Sequence, residues 1–273
     1  MEIIEKHAPI GVFDSGVGGL TVMREISRQL PHENIVYFGD TARVPYGSKS
    51  QTTIIRFSEQ IIRFLKSKHV KAIVIACNTA SALALDEVKK NTDIPILGVV
   101  TPGARAAVSA TINKRIGVVG TEATIRSGVY TKYIQEMEQE AEVLEKACPL
   151  FVPLVEEGFR EHHVTEEIID YYLASFKNSE IDTMILGCTH YPLLRSRIRD
   201  YMGEGIQIVN PAYETAMDLK AILGAMDLLH DGQGTSNKYE FYVSDTAEKF
   251  QIFANTVMPF DVRKTNVVNI ESI

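Results

Sequence analysis

Ile73-Val74-Ile75-Ala76-Cys77-Asn78-Thr79 is an apolar run that ends in a thiol and two short polar side chains. The run is β-branched, uninterrupted and short, so it reads as a strand covered on both faces. A stretch of helical character near 80–91 follows it, giving a strand, a turn and a helix. Met184-Ile185-Leu186-Gly187-Cys188-Thr189-His190, with a helical stretch near 192–201, repeats the pattern. Similar runs lie at Ile10–Phe13, Ile35–Phe38, Ile94–Val99, Ile116–Val119 and Ile206–Val209, and Ala72–Ala76 and Thr183–Leu186 bracket the two quoted strands. Helical stretches near 19–30, 51–68, 103–112, 124–138 and 165–178 separate them. Apolar strands alternating with helices specify an α/β chain built on mostly parallel sheets flanked by helices.

The two thiol motifs belong to a wider internal repeat. Ile10-Gly11-Val12-Phe13-Asp14-Ser15 pairs with Ile116-Gly117-Val118-Val119-Gly120-Thr121, and Val99-Val100-Thr101-Pro102 with Ile208-Val209-Asn210-Pro211. With the cysteine pair, the offsets are 116 − 10 = 106, 188 − 77 = 111 and 211 − 102 = 109 residues. Three pairings in one order at a nearly constant offset imply two related halves, each contributing one cysteine from the same structural position.

Length and composition bound the rest. The chain has 273 residues, 45% of them hydrophobic and 23% charged, which is enough for one large or two modest globular domains. Its formal charge is −7 with the basic residues scattered, which argues against a nucleic-acid partner. No apolar stretch approaches the ~20 residues of a membrane span, and Glu2, Glu5 and Lys6 interrupt any leader peptide, so no membrane partner is expected. Three widely spaced cysteines, Cys77, Cys148 and Cys188, do not make a disulfide framework and fit a reducing, cytoplasmic setting. The loosest segment is His230–Lys238, rich in Gly, Ser and Asn.

In open α/β sheets ligands bind at the carboxyl ends of strands, where Cys77 and Cys188 stand. A helix N-terminus beyond such a thiol favours the thiolate, and lowering its pKa from ~8.5 to ~7 takes about 2 kcal/mol. One strand-end cysteine is most often a small core residue. Two at matched positions, each flanked by polar residues, point to chemistry instead. Cys148, before Pro149 in an apolar stretch, has no matched partner and reads as core. His190 could serve as acid, base or metal ligand. Cys77, Cys188 and His190 lack a tight ligand pair and a fourth ligand, so no metal is expected. His7, His32, His69, His162, His163 and His230 read as surface residues.

Asp14-Ser15-Gly16-Val17-Gly18-Gly19-Leu20 follows the first strand and opens the first helix. Its glycines let backbone N–H groups approach an anion, yet neither the dinucleotide nor the P-loop spacing is present, which leaves a small carboxylate. Asp14 either contacts such a ligand or caps the helix. Asp40-Thr41-Ala42-Arg43-Val44-Pro45-Tyr46-Gly47 reads as a turn. Asn78, Thr79, Thr121 and Thr189 are short donors at strand ends, and Glu156 and Glu157 are carboxylates that are solvated unless one reaches the cleft.

Two acid/base groups on opposite faces of a stereocentre can invert it: one thiolate removes the α-proton and the opposite thiol returns one. No lysine context suggests pyridoxal phosphate, so no cofactor is expected, and preorganised donors in a closed cleft must stabilise the carbanion. Together, Asp14-Ser15-Gly16-Val17-Gly18-Gly19, Pro45-Tyr46-Gly47, Cys77-Asn78-Thr79-Ala80 and Gly187-Cys188-Thr189-His190-Tyr191-Pro192-Leu193 resemble the glutamate racemases, the cofactor-independent isomerases that make D-glutamate for peptidoglycan. The resemblance runs from Pro9 to about Ala216, and the tail after about Asp218 adds little to it.

The resemblance implies two α/β lobes, roughly 1–98 with 210–273 and 99–209, with the site in the cleft between them. It implies that Cys77 handles the proton on the D-glutamate side and Cys188 the one on the L-glutamate side. Asp14 would assist Cys77 and His190 would assist Cys188, with Glu156 and Asp40 in support. Asp14, Ser15, Pro45, Tyr46, Gly47, Asn78, Thr79, Thr121, Thr189 and His190 would hold the substrate. It further implies a homodimer in the cytoplasm, serving cell-wall synthesis and so cell shape. The short lead before the first strand matches members that need no nucleotide-linked cell-wall precursor for activation, and a large rate increase on adding one would refute this. Alternatives are a racemase for aspartate or another amino acid, a one-thiol hydrolase or decarboxylase, and an amino-acid-binding protein without catalysis.

Overall fold

The computed structural model describes residues 5–232 and 238–273. Most of the loose segment read at His230–Lys238 lies outside the described residues, as does Glu2. The strands are β1 (Ile10–Asp14), β2 (Ile35–Gly39), β3 (Ala72–Ile75), β4 (Ile96–Gly98), β5 (Arg115–Gly120), β6 (Glu142–Ala147), β7 (Thr183–Gly187), β8 (Gln207–Val209), β9 (Tyr239–Val243) and β10 (Asn266–Val267). They form two sheets, in the orders β10-β9-β2-β1-β3-β4 and β6-β5-β7-β8. Every ladder is parallel, as continuous apolar strands require when helices cover both faces.

The repeat in sequence is a repeat in topology. The order β2-β1-β3-β4 matches β6-β5-β7-β8 strand for strand. In this match β1 corresponds to β5, β3 with Cys77 to β7 with Cys188, and β4 to β8, which are the three pairings found at offsets of 106 to 111 residues. β1, β2, β3 and β7 are buried along their whole length. Three strands escape the reading of apolar runs. β6 (Glu-Val-Leu-Glu-Lys-Ala) is an edge strand that is half-buried or exposed throughout, and β9 is interrupted by Glu240. A strand covered on one side only carries polar residues, so it lacks the apolar run that marks a central strand. β10 has two residues, too few for any periodicity.

The predicted helices near 80–91 and 124–138 are each two helices. Asn78–Leu83 and Leu85–Lys90 meet at Ala84, and Glu122–Arg126 and Val129–Met137 are parted at Gly128, whose φ of +62° is the left-handed conformation that glycine adopts without strain. The tail contributes more to the fold than its motifs suggest. The helix Pro211–Ala225 packs between Leu20–Gln29 and Val100–Ala110, and β9, β10 and the helix Ala247–Val257 extend the first sheet and cover it. One apolar cluster runs through both sheets, from Leu20, Met23 and Ile26 past Leu219 and Leu223 to Met184, Leu186 and Ile198. Each fully buried Leu or Ile there contributes roughly 1.5–3 kcal/mol. No helix among the described residues is long and apolar enough to cross a membrane.

Candidate active site

A cavity of about 200 Å³ lies where the carboxyl ends of β1 and β3 meet those of β5 and β7. That volume suits a molecule smaller than the ligands of typical 300–1,000 Å³ pockets. Cys77 and Cys188 both line it, one from each sheet. So do Ser15, Pro45, Tyr46, Gly47, Asn78, Thr79, Thr121, Glu156, Thr189 and His190. Gly16 of the first glycine loop, Val44 of the turn after β2 and Val152 complete the wall; Val152 carried no sequence signal. A wider, open cavity of about 600 Å³ shares Gly16, Val44 and Glu156 with it, so Glu156 stands between the two.

The surroundings of the two thiols differ. His190 Nδ1 is 3.8 Å from Cys188 Sγ, and His190 Nε2 is 2.8 Å from Glu156 Oε1, so carboxylate, imidazole and thiol form a chain. Burial opposes charge on His190, but the Cys188 sulfur and the Glu156 carboxylate outweigh it and push the imidazole up to about 10. Phe253, from the tail, packs on the His190 ring with centroids 6.1 Å apart. Cys188 also departs from the expected helix N-terminus: a turn and a 3-10 segment, Tyr191–Leu194, separate it from the helix Arg195–Met202.

Cys77 Sγ lies 3.7 Å from Ser15 Oγ. The expected lowering of its pKa does not occur. Burial first and the Asp14 carboxylate second push the Cys77 thiol up to about 12, against the Ala80 amide and Ser15. A six-residue helix, Asn78–Leu83, cannot offset full desolvation. Cys77 is therefore protonated, and opposite it Cys188 stands beside an imidazolium. Cys148 is wholly buried, as read.

Asp14 is placed differently from the reading. It neither lines the cavity nor caps the helix Leu20–Gln29, whose N-cap is Gly19. It is fully buried beneath the loop, where Oδ2 accepts from the Gly16 amide at 2.9 Å and Oδ1 lies 3.4 Å from Thr189 Oγ1. Burial pushes its carboxyl up, against the charge on His190 and the Gly16 and Gly19 amides. Asp40 is absent from the cavity wall too. It accepts from Arg43 Nε at 2.7 Å, Ser244 Oγ at 2.9 Å and the Tyr46 hydroxyl, and so anchors the loop that presents Tyr46 and Gly47.

The sides of the cavity are drawn together by direct contacts. Thr79 Oγ1 and Thr121 Oγ1 are 2.9 Å apart, and Thr121 also caps the helix Glu122–Arg126. Thr21 Oγ1 donates to the Thr189 carbonyl at 2.9 Å. The Tyr37 hydroxyl donates to the Gly16 carbonyl at 2.9 Å and holds the glycine loop from below. At Gly18 a β-carbon would lie 2.3 Å from Thr189 Oγ1 and 2.5 Å from His190 Nδ1, so only glycine lets the first loop approach the second motif this closely. Among the described residues, the His/Cys/Asp/Glu group close enough to hold a metal ion is His7, His230 and Asp231, none of which lines the cavity. His230, read as a surface residue, is largely buried and lies 3.1 Å from His7.

Glu156→Gln removes one of the groups that keep His190 charged. His190 then loses its proton at lower pH, so the alkaline limb of the pH–rate profile moves toward neutrality. Turnover should fall about tenfold at pH 8 and above and less at lower pH. A pH profile superimposable on the wild type would show that Glu156 has no such part.

Two thiols converge on one small cavity between matching parallel sheets, an arrangement suited to proton transfer on both faces of a carbon. The Asp/Glu/Hydantoin racemase family model matches residues 10–218. The chain belongs to this family. It is 48% identical over 241 residues, 88% of this chain and 89% of the relative, to a glutamate racemase from Geobacter metallireducens. The fold matches the glutamate racemase isoform RacE1 from Bacillus anthracis with a TM-score of 0.93 at 40% identity, covering 97% of this chain and 98% of that one. It matches the Francisella tularensis glutamate racemase, solved in complex with D-glutamate, with a TM-score of 0.92 at 38% identity, covering 98% and 100%.

Proposed function

We propose that this chain interconverts L- and D-glutamate with Cys188 and Cys77 as the two bases, and so supplies D-glutamate for peptidoglycan synthesis. The observation that carries the reading is the pair of thiols from equivalent strand ends, β3 and β7, lining one cavity. In the L-to-D direction the Cys188 sulfur, beside the His190 imidazolium, takes the α-proton and the Cα–H bond breaks. The Cys77 thiol then gives its proton to the opposite face of the carbanion, a new Cα–H bond forms, and the protonation states of the two thiols are exchanged. The D-to-L direction starts from that exchanged state.

The carbanion has to be stabilised by donors aimed at the substrate carboxylate. Ser15, Asn78, Thr79, Thr121 and Thr189 are the donors at hand. Tyr46, Gly47 and Pro45 bound the end where side-chain length is read. Asp14 acts from beneath, through the loop amides and Thr189. The two lobes are residues 1–98 with 210–273 and residues 99–209, and cleft closure excludes water. We place the enzyme in the cytoplasm as a homodimer that works on a small-molecule substrate and has neither nucleic-acid nor membrane partners.

Proton NMR of L-glutamate with the protein in D₂O plus EDTA, alongside optical rotation, tests the reading. Loss of both the α-proton signal and the rotation is expected. Exchange with retained rotation would mean one working base. Inertness toward glutamate with activity on aspartate would move the substrate, and inertness toward all amino acids would overturn the enzyme assignment.

A further inference from the structure

Tyr130 is wholly buried at the start of the helix Val129–Met137, which lies between β5 and β6 of the second sheet. Its hydroxyl crosses to Asn78, the residue after Cys77 at the end of β3, and donates to Oδ1 at 2.7 Å. A glycine makes room beside this ring. A β-carbon on Gly187, the residue before Cys188, would sit 2.8 Å from the Val119 carbonyl oxygen and 3.1 Å from Tyr130 Cε2. The glycine of the second thiol motif thus admits the side chain that reaches the first.

An asparagine amide can face either way round, and the two orientations present opposite chemistry to a ligand. Among the described residues, Asn78 Oδ1 is the acceptor that the Tyr130 hydroxyl reaches. Turning the amide over would set N–H₂ against O–H and leave the phenol proton unpaired in the core, which buried polar groups avoid. Burial also pushes the Tyr130 phenol up, so the donor keeps its proton across the working pH range. With Oδ1 engaged, the end of the amide left for the cavity is Nδ2, a donor.

We infer that Tyr130 is a positioning residue: it holds the Asn78 amide with its nitrogen toward the cavity, so that a substrate carboxylate meets a donor and not an acceptor. The inference rests on the racemase reading and names a determinant of carboxylate binding within it. Because the bond joins helices that flank different sheets, it also registers the flank of Cys77 against the strand that carries Cys188.

Tyr130→Phe deletes one oxygen and keeps the ring. Its KM for both enantiomers should rise about tenfold while kcat stays within about threefold and the pH profile does not move. In an Asn78→Ser background, Tyr130→Phe should change KM by less than twofold, because the amide it orients is gone. Asn78→Asp keeps an acceptor for Tyr130 but turns an anionic oxygen on the cavity, and should raise KM far more than Asn78→Ser. An unchanged KM in Tyr130→Phe, full additivity in the double variant, or Asn78→Asp no worse than Asn78→Ser would each overturn the inference. Wild-type protein that neither exchanges nor binds glutamate would instead overturn the racemase reading, and the inference with it.

Discussion

Cys77→Ala and Cys188→Ala should each lower racemisation by about 10³-fold or more, at the upper end of what one positioned acid/base group supplies. What each variant retains matters more than what it loses. With Cys77 gone, Cys188 still stands beside His190, 3.8 Å from Nδ1, and L-glutamate should exchange its α-proton with D₂O while keeping its configuration. With Cys188 gone, any residual exchange should be confined to D-glutamate. One base reaches one face of the carbon, so inversion needs both. Proton NMR of each enantiomer with each variant reads the pattern directly. A variant that keeps more than a tenth of wild-type racemisation would remove the two-base mechanism and favour one-thiol chemistry.

Gly18→Ala should cost at least about 100-fold in kcat, a loss within the range of one misplaced acid/base group, although it adds a single methyl group. At an unconstrained site the same substitution is neutral or mildly stabilising. Here the methyl carbon would lie 2.3 Å from Thr189 Oγ1 and 2.5 Å from both Cε1 and Nδ1 of His190. Either the imidazole leaves its place between Cys188 and Glu156, or the glycine loop lifts off the second motif. Both break the chain of contacts at 3.8 and 2.8 Å that keeps charge beside Cys188. Gly205→Ala is the control, because nothing lies within 4 Å of a β-carbon there, and it should leave turnover unchanged. Circular-dichroism assays of racemisation, with melting curves alongside, separate lost chemistry from lost folding. Full activity in Gly18→Ala would mean that the cleft can open enough to absorb the methyl group.

The reading from the chain succeeded where a residue's role follows from its own strand. Continuous apolar runs marked the central strands, and a near-constant offset marked the duplication. The end of each duplicated strand marked a cysteine, and both cysteines line the cavity. It missed the edge strand Glu142–Ala147, and Tyr239–Val243 next to the two-residue edge strand, because polar residues break the apolar run in both. It left Asp14 open between ligand contact and helix cap, and the residue does neither, because a carboxylate after a strand can point into a cleft or turn beneath a loop, and local sequence is the same in both cases. Thr121 shows the limit from the other side, as it is both the helix cap and part of the cavity wall.

Local pattern thus sufficed for the α/β class, the parallel order, the twofold repeat and the two thiols, because burial on both faces and strand-end position are written in contiguous residues. The protonation of Cys77 and the charge that stands beside Cys188 were decided elsewhere. Cys77 and Cys188 end equivalent strands, yet one lies in a desolvated pocket near Asp14 and the other beside an imidazole held by Glu156 and covered by Phe253. A pKa depends on the solvent excluded and the charges within a few ångströms, and here those come from a loop, a helix and a tail far away in the chain. The crossing of Tyr130 to Asn78, 52 residues apart, has the same origin: only the packing of one sheet's helices against the other brings the two side chains within reach.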